Sequence, residues 1–332
     1  MRAPGQHRDP LAGSATPVAD DRRPEAGPVA ILPEPTELMT EAVVNGGGSV
    51  APLSAETRGV VWLGGAGSEL DSTLRDNPQI GWVQLPLAGV DRFRPALSAQ
   101  GDATLPLWTS AKGSFSEPVA EHAVALTLAT LRQLPEKSRS SSWAHIKQGI
   151  SLYGRHVLIV GAGGIAVEIM RLLKPFETEI TIVRRSADPL PGAHRTVASD
   201  QLLSVLPDAD VVILAAASTD ETAQFIGERE LAAMKSTAVL VNIARGPLID
   251  TDALVSSLES GHLWGVGLDV TDPEPLPDSH PLWSAPRTVI TSHAADTEEM
   301  IAPLLAERVR LNVAALHGDG AFVGIVDPIK GY

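Results

Sequence analysis

Cysteine is absent from the 332 residues, which excludes a disulfide framework and any thiolate metal site. Aromatic side chains are scarce at 4%, so the core that an apolar content of 44% supports must be packed chiefly by alanine, valine and leucine. Basic residues are outnumbered, 26 Lys and Arg against 40 Asp and Glu, and the net charge of −14 argues against a general nucleic-acid binder or an anionic-membrane binder. No apolar run approaches the ~18–20 residues of a membrane span. Residues 1–27 lack the apolar stretch of a secretory signal and show no periodicity, so they read as a disordered tail or the product of a start site placed too early. These absences support the expectation of a cytoplasmic protein with no nucleic-acid, membrane or metal partner.

What is present is alternation. Strand-like runs at Pro28–Leu32, Gly59–Leu63 and Ile80–Leu85 are separated by helix-compatible segments, which predicts a small α/β unit. The run from Glu117 to Leu134 (EPVAEHAVALTLATLRQL) predicts a long, mostly buried helix with Pro118 in its first turn. Further strands are predicted at Arg155–Val160, Ile180–Val183, Val211–Leu214, Ala238–Asn242, Trp264–Asp269 and Thr288–Thr291. Their nearly continuous apolar character indicates a parallel, doubly wound sheet. A last helix is predicted over Met300–Leu316, with Pro303 in its first turn.

Gly161, Gly163 and Ala166 form G-x-G-x-x-A between a predicted strand and a predicted helix. The first glycine allows the tight turn, the second lets the backbone approach a pyrophosphate, and the small third residue packs helix on strand. Such a turn also occurs as a plain connection, but its setting favours dinucleotide binding. The next strand of a dinucleotide unit normally ends in an acid that bonds the ribose hydroxyls. Here Arg184, Arg185 and Ser186 stand at that place, about 20 residues beyond the turn. Two guanidiniums and a hydroxyl suit a ribose 2′-phosphate, and a solvated basic strand end is the plain alternative. The cofactor expected is NADP(H), with NAD(H) as the second choice.

Three downstream residues fall at carboxyl ends of predicted parallel strands, where open α/β sheets bind ligands. Arg245 follows a strand in VNIARGPLID, Glu274 lies in a proline-rich turn in DVTDPEPLP just after Asp269, and His293 follows a strand in TVITSHAAD. An arginine can fork onto a carboxylate, and a histidine can exchange a proton near neutral pH. A glutamate beside that histidine favours its protonated form.

With LAGVD (87–91), PVAEHAVALTLATLRQLP (118–135), VGAGGIA (160–166), GLDVTDPEPLP (267–277) and the Arg–Glu–His order, the chain resembles the D-isomer-specific 2-hydroxyacid dehydrogenases from about residue 28 onward. It is most similar to their glyoxylate/hydroxypyruvate reductase group. The resemblance implies two Rossmann-like domains, a doubly wound cofactor domain (112–295) inserted into a smaller flavodoxin-like substrate domain (28–111 and 296–332), with the site in the cleft. It implies that Arg245 binds the substrate carboxylate and keto oxygen, that His293 is the general acid/base and that Glu274 keeps it protonated. Asp269 would face the nicotinamide carboxamide, and Gly164, Ile165, Ala216 and Ile243 would join the cofactor contacts. Backbone amides around Gly64, Gly65, Ala88 and Gly89 would hold the carboxylate. A homodimer through the cofactor domains is implied, with the helix from Glu117 contributing and Trp143 reaching the partner's site.

The chain departs from the family's pattern at Ser292, where proline is usual, and at Ala294, Ala295 and Asp296, where Asp296 brings an unusual carboxylate. The reaction expected is reduction of a small 2-keto acid, glyoxylate- or hydroxypyruvate-like, to the D-2-hydroxy acid. Two other readings stand beside it: a dinucleotide-sensing, corepressor-like binding protein, and a phosphoglycerate dehydrogenase-like enzyme without a regulatory C-terminal domain.

Overall fold

Short runs of valine, isoleucine and leucine become strands in this chain, and helices cover them. The computed structural model describes residues 6–8, 14–65, 67–99, 105–143 and 147–328. It divides the chain into two units, Met1–Glu117 with Thr297–Tyr332, and Pro118–Asp296.

In the first unit β1 (Thr16–Pro17) pairs antiparallel with Ala321–Phe322. Strands β2 (Val29–Leu32), β3 (Gly59–Trp62), β4 (Trp82–Gln84) and β5 (Leu107–Thr109) form a parallel sheet in that order. A parallel bridge from Val29 to Val50 adds a rudimentary strand beyond β2, which completes the flavodoxin-like 2-1-3-4-5 order. Alternation along the strands divides the side chains between two faces. Val29, Ile31, Val61 and Leu107 meet Met39, Val43, Val309 and Val313 from helices Glu37–Asn45 and Glu298–His317. Ala30, Val60, Val83 and Trp108 meet Leu70, Phe93 and Leu97 on the other face. The buried amide of Asn312 donates to Gln84 Oε1 at 2.8 Å, and Thr109 donates to the same oxygen at 2.9 Å. The C-terminal helix is thereby tied to the sheet by a satisfied polar contact.

The second unit contains β6 (His156–Val160), β7 (Glu179–Arg184), β8 (Arg195–Ala198), β9 (Val211–Leu214), β10 (Val239–Asn242), β11 (Gly265–Leu268) and β12 (Thr288–Ile290). They form one parallel sheet in the order β12-β11-β10-β9-β6-β7-β8. The order reverses between β6 and β9, and a ligand crevice lies outside the carboxyl ends at such a reversal. Two parallel sheets with helical cover, one inserted within the other's sequence, are the α/β class read from the sequence.

Several local expectations need correction. Residues 14–27 are not wholly disordered: β1 finds its partner near the other end of the chain, a pairing that no local pattern announces. The long helix runs Ser116–Arg132 and stops at Gln133, whose φ is +51°, before a separate turn of helix at Leu134–Ser138. The last helix starts earlier than expected, at Glu298, because the Thr297 hydroxyl accepts from Met300 N at 3.4 Å. Pro303 therefore lies inside that helix, beyond its first turn. Strands β5 and β8 were not expected. β5 is three residues long, and β8, RTVA, is an edge strand with a single buried residue.

Candidate active site

The glycine turn leaves β6 at the sheet's reversal point. Gly161 has φ +116°, and a Cβ there would lie 2.4 Å from Ala215 O and 2.9 Å from Ala216 N, just past β9. Only glycine suits both the left-handed backbone and that approach. A Cβ at Gly163 would meet nothing within 4 Å, so the space above the turn is open. Helix Gly164–Leu173 begins there with Gly163 as its cap and no side chain bonded to its first turn. The N–H groups of Gly164, Ile165 and Ala166 are the ones such a helix leaves without an intrahelical acceptor. This cradle fits a dinucleotide pyrophosphate.

The basic strand end is adjacent to the cradle. Gly161 N donates to Val183 O at 2.8 Å, so Arg184, Arg185 and Ser186 leave β7 beside the glycine turn. Arg184 is half-buried and Arg185 exposed. The loop also holds an acid that the sequence reading passed over: the Ser186 hydroxyl donates to Asp188 Oδ2 at 2.7 Å. Ala216 follows β9, and Ile243 is buried just past β10.

Arg245, Asp269 and His293 leave three neighbouring strands. Asn242 of β10 pairs with Leu268 of β11, and Leu268 with Ile290 of β12, so the three loops start level. The Arg245 turn is pinned by buried Asn242, whose Nδ2 donates to Arg245 O at 2.9 Å and whose Oδ1 accepts from Ala244 N at 3.0 Å. Arg245 Nη1 donates to Ala244 O at 2.7 Å. At Gly246 a Cβ would lie 1.9 Å from Thr271 O. Glycine at this position lets the Arg245 turn lie against the 271–274 loop that carries Glu274.

His293 Nδ1 lies 2.7 Å from Glu274 Oε1. A carboxylate only accepts, so Nδ1 carries the hydrogen and Nε2 is left for chemistry. Ser292 and His293 have φ +49° and +56°, a conformation side-chain-bearing residues rarely adopt. Proline could not reach it, so the unusual serine at 292 matches the backbone observed.

Asp269 is 2% exposed, and its Oδ1 accepts from Thr291 Oγ1 at 2.6 Å and from Ala294 N at 2.9 Å. Burial would raise its pKa, but hydrogen bonds from His122, Thr291 and the Ala294 amide outweigh burial and hold it below the ordinary aspartate value. Asp296 moves the other way. Burial comes first, the Asp269 charge adds to it, and His293 and His122 oppose. His122, Thr291 and Asn242 are the members of this cluster that the sequence reading did not single out. Each reads locally as an ordinary helix or strand residue.

Gly64, Gly65, Ala88 and Gly89 belong to the first unit, in the loops after neighbouring strands β3 and β4. A Cβ at Gly67 would lie 2.2 Å from Arg92 O, which brings the start of helix Gly67–Asp76 against the second of these loop regions. Trp143 is 90% exposed. Among the described residues no helix is long and apolar enough to cross a membrane.

The sequence model for the D-isomer specific 2-hydroxyacid dehydrogenase NAD binding domain matches residues 124–295, just over half of the chain. An uncharacterized Corynebacterium melassecola protein from the proB 3′ region is 37% identical over 306 residues, 88% of this chain and 96% of its own length. A glyoxylate reductase of Pyrococcus furiosus is 36% identical over 218 residues, 62% of this chain and 65% of the relative, slightly under two thirds of its length. Among solved structures, a glyoxylate reductase from Paecilomyes thermophila superposes with TM-score 0.76 at 25% identity, covering 91% of this chain and 98% of that one.

Proposed function

Since the chain belongs to the D-isomer specific 2-hydroxyacid dehydrogenase family, we propose that it reduces a small 2-keto acid, glyoxylate- or hydroxypyruvate-like, to the D-2-hydroxy acid. The observation that carries this is the His293–Glu274 pair standing at the sheet's carboxyl edge, with the Arg245 turn pressed against the loop of Glu274. Glyoxylate reductases among the relatives support the substrate class. The nicotinamide, when bound, supplies the hydride. Arg245 orients the substrate carboxylate and stabilises charge developing on the keto oxygen, while His293 delivers a proton to that oxygen from Nε2. Glu274 fixes the ring through Nδ1 and balances its charge. Asp269 facing the carboxamide, and amides near Gly64, Gly65, Ala88 and Gly89 taking part in carboxylate binding, belong to the same proposal.

The cofactor in this proposal is NADP(H), with NAD(H) accepted more weakly. Its support is Arg184 and Arg185 beside the glycine turn, where an acid would repel a 2′-phosphate. The Ser186–Asp188 contact works against it, because a carboxylate in the same loop weakens phosphate binding. A homodimer through the Pro118–Asp296 unit is supported by the exposed apolar side chains of Leu134, Trp143 and Tyr153.

One assay tests the reaction: loss of NADPH or NADH absorbance with glyoxylate, hydroxypyruvate, pyruvate and a bulky aryl keto acid. Turnover with a small acid is expected. Tight cofactor binding with no turnover on any of the four would replace the enzyme by a dinucleotide-sensing binding protein.

A further inference from the structure

Helix Ser116–Arg132 lies over β11 through a match of two repeats. A Cβ built on Gly265 would come within 2.9 Å of Thr130 Cγ2, and one on Gly267 within 3.0 Å of Leu126 Cβ. Four residues of helix rise about 6.0 Å and two residues of strand about 6.6 Å. One further step in this register therefore sets His122 level with Asp269. The two strand glycines allow the helix close enough for contact. His122 Nε2 lies 2.9 Å from Thr291 Oγ1 and 3.4 Å from Asp269 Oδ1.

The hydrogen positions follow from counting. Thr291 has one hydroxyl hydrogen and donates it to Asp269 Oδ1 at 2.6 Å. His122 Nε2 must then be the donor to Thr291 Oγ1. Asp269 in turn grips both sides of the catalytic loop. Its Oδ1 accepts from Ala294 N at 2.9 Å and its backbone oxygen from His293 N at 2.5 Å. Thr291 and Ala294 are thus both tied to Asp269 Oδ1, and Ser292 and His293 between them have positive φ, a backbone state that persists only where its surroundings enforce it.

We propose that His122 is a positioning residue for His293: by donating from Nε2 to the Thr291–Asp269 pair, it holds the 291–294 loop in the conformation that presents the His293 ring. This deepens the proposed function and rests on His293 being the acid/base. The histidine is used for its directed N–H, and its helix supplies the leverage. A Gln side chain can offer a comparable donor, whereas Phe fills similar space with none.

The test pairs activity with an activity-independent readout on the full chain. Amide hydrogen exchange at His293 and Ala294 and kcat with the best keto acid are measured for wild type, His122→Phe, His122→Gln and Thr291→Val. His122→Phe and Thr291→Val should speed exchange at both amides by roughly 10-fold or more. They should also lower kcat by roughly 10- to 100-fold. His122→Gln should restore most of both. Thr291→Val reports on the same contact if His122→Phe does not fold. Wild-type exchange in the folded donor-deleted variants, or faster exchange with unchanged kcat, would overturn the inference and leave the proposed reaction standing. Normal turnover in His293→Gln would instead remove the acid/base reading beneath it.

Discussion

His293 Nδ1 stands 2.7 Å from Glu274 Oε1, and both side chains are nearly half exposed, at 45% and 43%. An ion pair this open to water contributes little to folding, about 0–1 kcal/mol. Its geometry matters more for aiming a ring than for holding the fold. His293→Gln should therefore lower kcat for keto-acid reduction by roughly 100- to 10,000-fold, the range for loss of a general acid. Its melting temperature should stay close to wild type. Near-normal turnover in this variant would take His293 out of the reaction.

Glu274→Gln keeps a hydrogen-bonding side chain beside the ring but removes the negative charge. A carboxylate can only accept the Nδ1 hydrogen, whereas an amide can also offer its N–H to Nδ1 and so leave the ring free to turn or change tautomer. Glu274→Gln should therefore lower kcat for keto-acid reduction by roughly 10- to 100-fold, the cost of a misaligned catalytic group, with a smaller change in KM. An unchanged kcat would remove Glu274 from this role.

Replacing Arg184 and Arg185 together by Ala should raise the Michaelis constant for NADPH by at least ~10-fold, since charge-assisted bonds to a phosphate are worth ~1.5–3 kcal/mol each. The constant for NADH should move little. Asp188→Asn should act in the opposite sense, because it removes the carboxylate that the Ser186 hydroxyl now faces at 2.7 Å. Equal changes for both cofactors in the arginine variant would return the pair to ordinary solvated charges.

The parts of this site that were legible in the sequence are those with local signatures. Gly161 and Gly163 sit in a strand–turn–helix pattern, and Arg245, Asp269 and His293 each follow an apolar strand. Their convergence needs only the rule that parallel strands share a carboxyl edge. His122 was not legible because a histidine in an apolar helix reads as packing. Its role depends on which strand the helix crosses and in what register, and only Gly265 and Gly267 hint at the close approach. β8 was missed because an edge strand buries little, and β1 because its partner lies some 300 residues away, at Ala321–Phe322. The backbone state at Ser292 was equally hidden, although the missing proline marked the place.

Gly246 has no φ requirement, so its value is steric: a Cβ there would overlap Thr271 O at 1.9 Å. The neighbour is backbone and cannot rotate away. Gly246→Ala should separate the Arg245 turn from the Glu274 loop and cost about 1–3 kcal/mol of stability, as overpacking does. Catalysis should suffer more than folding, with kcat/KM down roughly 100-fold for a displacement near 1 Å. Full activity in a folded Gly246→Ala protein would show that the contact between the two loops is dispensable.

Asp296 gives the pH dependence its sign. Burial, and secondarily the Asp269 charge, raise its pKa against the opposing pull of His293 and His122. A carboxyl whose pKa is raised by burial costs the folded state nothing while it stays protonated and destabilises it once ionised. Below the unfolded value, near 3.9, both states hold the proton and no penalty exists. Between that value and the raised folded one, the native state keeps a proton that the unfolded chain has released, so stability falls as pH rises; above the folded value the penalty is complete and no longer changes with pH. Asparagine resembles the neutral acid at every pH. Asp296→Asn should thus raise the melting temperature at pH 7 more than at pH 4, measured by thermal unfolding at matched ionic strength. An equal shift at both pH values would mean that the carboxyl's charge is not what the folded state resists.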